Sequence, residues 1–320
     1  MFWSAPIAFY HQLALMTRAG MTLGQALDYA RGVTTGWYRE HAGAWAAGCQ
    51  GGTALAPQLR DAGEDHLPVA LIEAGERSGR LPEMCAEISS FYEHQRALVT
   101  MALGKLLYPL LLAHVALIMP GIINWFLHGS VRRLIIGPAI LWAVLATALI
   151  AWLVLRRTTV PGKIALLPLV RSITLPLVAA NTCLVVRGGL AAGMLYHQAL
   201  DLAAPACGNR VFADRLRRVS DDLARGRLPG LTPALAAAGM PRVVVELLST
   251  AEHAGALEES LGRCAALQRE AFRERTAWAT RILCGLFYAL AIVLAVVTIV
   301  SMYGAYLGQV SELAGEMDAQ

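Results

Sequence analysis

Ala74-Gly75-Glu76-Arg77-Ser78-Gly79-Arg80-Leu81-Pro82-Glu83 has a counterpart in the same chain, Thr250-Ala251-Glu252-His253-Ala254-Gly255-Ala256-Leu257-Glu258-Glu259. The spacing Glu-x-x-Gly-x-Leu-x-Glu is kept at an offset of 176 residues, and each copy stands a short way upstream of a long apolar run. A pattern that recurs with its surroundings marks duplicated architecture, and it decides how the rest of the chain is divided.

Working outward, the repeat widens. Ala19 to Ala30 matches Ala192 to Ala203 at eight of twelve positions, including Ala-Gly-Met and Gln-Ala-Leu-Asp. Ala54 to Leu59 pairs with Gly230 to Leu235, and Ala62-Gly63 with Ala238-Gly239. Phe9, Leu13 and Met16 share one face at helical spacing. Gly20 suits a left-handed helix end, and Thr22 caps the helix that follows. Leu81-Pro82-Glu83 restarts a helix, with proline in the first turn and an acid at the positive end of the dipole. Further helices are predicted over Leu67 to Arg77 and Pro241 to His253, so each copy reads as a bundle of five or six short helices. No stretch shows sustained strand alternation. The fold class is all-α: two repeated cytoplasmic helical bundles plus three transmembrane helices.

Composition places part of the chain in lipid. The hydrophobic share is 56%, the charged share 16% and the mean hydropathy +0.50, against roughly 45–50% and 25% for soluble globular chains. Leu106 to Leu127, Leu134 to Leu155 and Ile282 to Leu307 each reach the ~20 residues needed to span a bilayer. Ile164 to Ala180 is shorter and broken by Pro168, Arg171 and Pro176, so it reads as the approach to the second bundle. The boundaries follow: 1–102 first bundle, 103–127 first span, 128–133 external loop, 134–155 second span, 156–280 second bundle, 281–307 third span, 308–320 external tail. Residues 308–320 carry Glu312, Glu316 and Asp318 and no Lys or Arg, whereas Arg269, Arg273, Arg275 and Arg281 precede the third span. The positive-inside rule puts both bundles and the N-terminus in the cytoplasm and the C-terminus outside; Arg132 and Arg133 run against it. Met1 to Pro6 does not read as a signal peptide.

The net charge of +4 sits beside the apolar runs or among acids, as in Arg215 to Arg227 with Asp221 and Asp222, so no nucleic-acid partner is expected. Six cysteines lack C-x-x-C and zinc-like spacing and read as reduced, buried thiols. G-x-x-x-x-G-K-[ST], H-E-x-x-H and G-x-S-x-G are all absent, and no carboxylate lies inside a span. The expectation is no enzyme activity, no cofactor and no metal. His114 stands within the first span without an acidic or basic companion, which leaves a proton relay incomplete.

Two Ala-Gly-Met-x-x-x-Gln-Ala-Leu helix starts, two Glu-x-x-Gly-x-Leu-x-Glu turns and Lys105-x-x-Tyr108-Pro109 at the first span resemble the type II secretion F / type IV pilus inner-membrane platform family. The resemblance covers about residues 7–307. It implies a non-enzymatic protein of the bacterial inner membrane. Its implied partners are a cytoplasmic assembly ATPase, pilin or pseudopilin membrane helices, other platform proteins, further copies of itself and membrane lipid. The sequence departs from the family in opening without the N-terminal extension many members carry, and in having Cys284-Gly285 where the first copy has Tyr108-Pro109.

Glu76, Arg80 and Glu252 are then expected as partner-contacting charges. The alternative is helix-end electrostatics, with Glu76 paired to Arg80. Gly20, Gly79, Gly193 and Gly255 are expected to serve backbone geometry, and Pro109 to kink the first span. A small membrane transporter and a membrane-anchored signalling scaffold stay open as other functions.

Overall fold

The computed structural model describes residues 3–128 and 168–318, with positions 135, 136, 139, 142, 143, 146 and 147 between them. Among the described residues every regular element is an α-helix. The second predicted span, and the charges at 132, 133, 156, 157 and 163, lie largely outside those residues.

The first half holds α1 (Ser4–Arg18), α2 (Leu23–Val33), α3 (Trp37–Gln50), α4 (Leu55–Asp61), α5 (His66–Ser78) and α6 (Leu81–His128). The second half repeats the series: α7 (Pro168–Ala191), α8 (Tyr196–Ala206), α9 (Arg210–Ala224), α10 (Leu231–Ala238), α11 (Arg242–Ala254) and α12 (Leu257–Asp318). Local chemistry sets these boundaries. Thr22 and Gln25 exchange side chain and backbone contacts in a capping box at the start of α2. Asn209 accepts the Phe212 N–H at 3.1 Å to start α9. At α8 half of that device survives, with Gln198 accepting the Leu195 N–H at 3.2 Å. Gly79 and Gly255 close α5 and α11 at φ +68° and +69°. A side chain would carry a cost of roughly 1–2 kcal/mol in that region.

The chain divides into two compact units. One is Met1–Leu98 with Gly162–Thr276; the other is Val99–Pro161 with Ala277–Gln320. The first unit contains both helical bundles, packed on one another. Phe9, Tyr10 and Leu13 of α1, Leu71 and Ile72 of α5, and Leu184 of α7 are among its fully buried side chains. Ser172–Ala191 is apolar enough to cross a membrane, yet two-thirds of it is buried among these helices. It extends the segment expected over 164–180 and is a core helix.

In the second unit, α6 and α12 touch where the Tyr108 and Tyr288 rings stand 5.8 Å apart and the Cys284 thiol points to the Lys105 carbonyl. Helix α6 runs unbroken through Pro109, which is buried. Leu103, Leu107, Leu111 and Met119 of α6 and Ile292, Val296 and Val300 of α12 are exposed. A continuous run of exposed branched side chains is an interface with an apolar medium or a partner.

Candidate functional site

The repeated glutamates do something the linear spacing does not announce. Both Glu76 oxygens accept backbone N–H groups at the start of α4, from Leu55 and, at 3.2 Å, from Ala56. Glu252 takes the Leu231 and Thr232 N–H groups at 2.8 and 3.0 Å at the start of α10. The residues at those caps, Ala54 and Gly230, supply no side-chain acceptor. The first N–H groups of a helix have no partner of their own and carry its positive end, so a carboxylate seated there stabilises both. A Cβ at Gly230 would stand 2.5 Å from Glu252 Oε1, so glycine leaves the room the carboxylate occupies. Each glutamate therefore pins α5 to α4, or α11 to α10, across about twenty residues of chain.

Arg80 does not pair with Glu76. It reaches Glu258, at the start of α12 in the other half. About two turns further along, in α6, Glu87 faces two guanidinium groups of the second half, Arg187 at 3.5 Å and Arg269 at 3.2 Å. Beneath these pairs the backbones come close: a Cβ on Gly188 would meet the Ala74 Cβ at 3.1 Å. The start of α6 and the start of α12 are thus held together through opposite charges placed asymmetrically on the two copies.

The halves differ in two further respects. In the first, Glu73 is bridged by Arg60 at 2.8 Å and by Arg77 at 2.7 Å, a network laid over the α4–α5 surface. Also in the first, Tyr10 of α1, Tyr38 of α3 and Tyr92 of α6 surround Glu64, which accepts the Tyr92 hydroxyl at 3.2 Å. Burial is the leading cause that pushes the Glu64 carboxyl above the ordinary carboxylate range, while the Tyr38 and Tyr92 hydroxyls oppose the shift. The same burial raises the three phenols. Glu64 Oε2 and the Tyr10 hydroxyl are both buried with no hydrogen-bond partner. Position 240, which corresponds to Glu64 at the repeat offset, is methionine, so the second half has no such cluster.

Among the described residues, no three His, Cys, Asp or Glu side chains come together as a metal site. The six cysteines are free; five are buried, and Cys49 is half-buried with its thiol pushed up to about 11, chiefly by that burial. Gly20 and Gly193 take φ +86° and +71°, like Gly79 and Gly255. His114 donates from Nδ1 to the Leu110 carbonyl at 2.8 Å and lies edge-on to Trp142.

Sequence reasoning found the glutamates and missed their role. The signal was present: two short helices with Ala or Gly where a capping side chain belongs, each followed by a glutamate at matching distance. It also missed Glu87, Arg187 and Arg269, whose pairing spans about one hundred to 182 residues and leaves no periodicity.

Comparison with known proteins matches this duplicated layout. The sequence profile of the family described as "Type II secretion system (T2SS), protein F" matches residues 9–128 and 183–305. Among similar proteins, the type IV pilus assembly protein PilC of Pseudomonas aeruginosa is 23% identical over 293 residues, covering 82% of this chain and 78% of that protein. The type IV pilus assembly protein TapC of Aeromonas hydrophila is 25% identical over 288 residues, covering 80% of this chain and 69% of that protein.

Proposed function

The chain belongs to the type II secretion system protein F family, and on that premise we propose that it is the inner-membrane platform of a type IV pilus or type II secretion machine. The observation that carries the proposal is the pairing of a duplicated helical bundle with exposed apolar helices under a family match to both copies. In this reading the protein is not a catalyst. It lacks a P-loop, so the energy comes from a partner assembly ATPase in the cytoplasm.

The two bundles, both cytoplasmic, receive the ATPase stroke. Helices α6 and α12 begin at the repeated turns and continue in sequence into apolar segments. Movement of those segments displaces a pilin or pseudopilin helix from the bilayer into the growing filament. The C-terminus lies on the external side, and several copies work together with other platform proteins. Glu76, Arg80 and Glu252 remain proposed as contact points, under a constraint the geometry supplies: Glu76 and Glu252 also hold their bundles together.

Deleting the gene and restoring it on a plasmid tests the proposal. Filament assembly or secretion should stop and then return. A deletion strain that assembles and secretes normally would sink the platform reading. Charge reversal of Glu76 and Glu252 tests docking only if the variant's helical signal and melting temperature match the parent; Glu→Gln, which keeps one acceptor oxygen, is the cleaner control.

A further inference from the structure

The two halves are joined by a pair of unlike faces, and each face has an uncovered counterpart on the opposite half. Within the chain, α5 of the first half packs on α7 and α8 of the second, with Ala74 against Gly188. Leu67, Ala70, Leu71 and Ala74 recur along α5 at helical spacing and are all buried. At the 176-residue offset their counterparts on α11 are Val243, Glu246, Leu247 and Thr250. All four are exposed, Val243 at 56% and Leu247 at 42%. Pro68, Ile72 and Gly75, on the other side of α5, correspond to Val244, Leu248 and Ala251, which stay buried. The difference is confined to the face that the first half turns toward the second.

The mating face recurs in the same way. Helices α1 and α2 correspond to α7 and α8 at an offset of 173, and both pairs end at matching positions. Leu15 stands where Gly188 does, Tyr29 where Leu202 does, and Val33 where Ala206 does. Gly188 and Ala206 are buried and Leu202 is half-buried, whereas Leu15, Tyr29 and Val33 are exposed, Tyr29 at 51%. Among the described residues of the compact unit that holds both bundles, seven large apolar side chains are exposed. Five of the seven are at positions 15, 29, 33, 243 and 247, so the open apolar surface is concentrated on these two faces.

Charge is complementary across the same faces. Inside the chain, Glu87 of α6 meets Arg269 of α12. At the repeat offset Glu87 corresponds to Arg263 and Arg269 to Glu93, and both counterparts are exposed. The pair returns with its signs exchanged, the cation now on α12 and the acid on α6.

We propose that a second copy of this chain covers these faces: α11 and the start of α12 of one copy dock on α1, α2 and α6 of the next. The contact repeats between chains the packing that joins the two halves. It is heterologous, because the surfaces that meet are different, and every copy keeps one of each for further neighbours. Leu15 and Thr250 are bulkier than Gly188 and Ala74, so the copies sit farther apart than the halves do. The proposal deepens the platform reading, on which it rests for the presence of several copies, by assigning the faces they share.

Cross-linking in membranes tests it. Leu15→Cys and Thr250→Cys, both at exposed positions, are made in the full-length protein and oxidised with copper phenanthroline. The parent, with its six free cysteines, is the control. Neither single variant should give more covalent dimer than the parent. The two coexpressed should give a dimer, and a chain carrying both should give a ladder of higher multiples. In the coexpressed pair, Arg263→Glu on the Thr250→Cys chain should lower the dimer yield about threefold, the effect of an exposed ion pair. Glu93→Arg on the Leu15→Cys partner should restore it.

Three results would overturn the proposal. One is a dimer from either single variant beyond the parent, which would mean that like faces meet. Another is no dimer from the coexpressed pair although both cysteines react with a maleimide. The third is a yield indifferent to Arg263→Glu, or lowered by it and not restored by Glu93→Arg. None of these bears on the deletion experiment, since a platform whose copies meet through other faces still assembles filaments.

Discussion

At the residue scale, Glu64 is the side chain whose ionisation the fold opposes. Its pKa is raised in the folded protein, so its stabilising contribution is fully present below the ordinary carboxylate value of 4.5 and is lost as pH rises through the raised one. Glu64→Gln should therefore melt higher than the parent at pH 7.5, by an amount on the order of 1 kcal/mol, with the two melting curves converging near pH 4.5. Circular dichroism at the two pH values measures this, and a gap that widens in acid would contradict it. Glu76 and Glu252 should behave in the opposite sense at neutral pH. Alanine at either removes the acceptor for two helix-end N–H groups and should destabilise by about 1–3 kcal/mol. Glutamine should cost less, because one carbonyl oxygen remains.

At the element scale, the short helices α4 and α10 depend on a residue outside themselves. Seven or eight residues are too few for a helix to stand alone. The repeated turn was legible in the sequence because glycine at a left-handed position and acids after it are local signals. The long-range cap was not, because the approach of Glu76 to Leu55 is decided by how α5 lies on α4. Arg80 illustrates the same limit: four residues from Glu76 it looks like a helical pair, yet its partner is Glu258. Helix α7 shows where local signals did suffice. Its hydropathy passes for a membrane helix, but Pro168, Arg171 and Pro176 already set it apart from the spans in the sequence, and its burial assigns it to the core. Its tight seat against α5 gives a prediction. Gly188→Leu should force the two halves apart and lower the melting temperature by several degrees, because Ala74 already lies within contact range.

At the scale of the whole molecule, asymmetric charges join two copies of one design. Glu87→Ala should cost about 1–3 kcal/mol, since Arg269 is largely buried and two of its nitrogens already lack acceptors. A double-mutant cycle of Glu87 with Arg269 should show coupling, whereas Glu87 with Arg217 should be additive. The exposed apolar faces give a separate test. In bilayers containing brominated lipid, a variant retaining only Trp125, which is 51% exposed, should lose fluorescence. One retaining only Trp45, which is buried in the first bundle, should keep it.

The pairing of Glu87 with Arg187 and Arg269 also bears on how the protein is made. A ribosome adds roughly 5–20 residues per second, so about 10–40 s pass between the emergence of Glu87 and that of Arg269, 182 residues later. Throughout that interval the first half can complete its own caps, because each closes within about twenty residues. The face carrying Ala74, Met84 and Glu87 has no mate until the second half is synthesised. The newborn chain thus waits with one finished bundle and one bare side, a period when a chaperone or a neighbouring nascent chain has its best access to it.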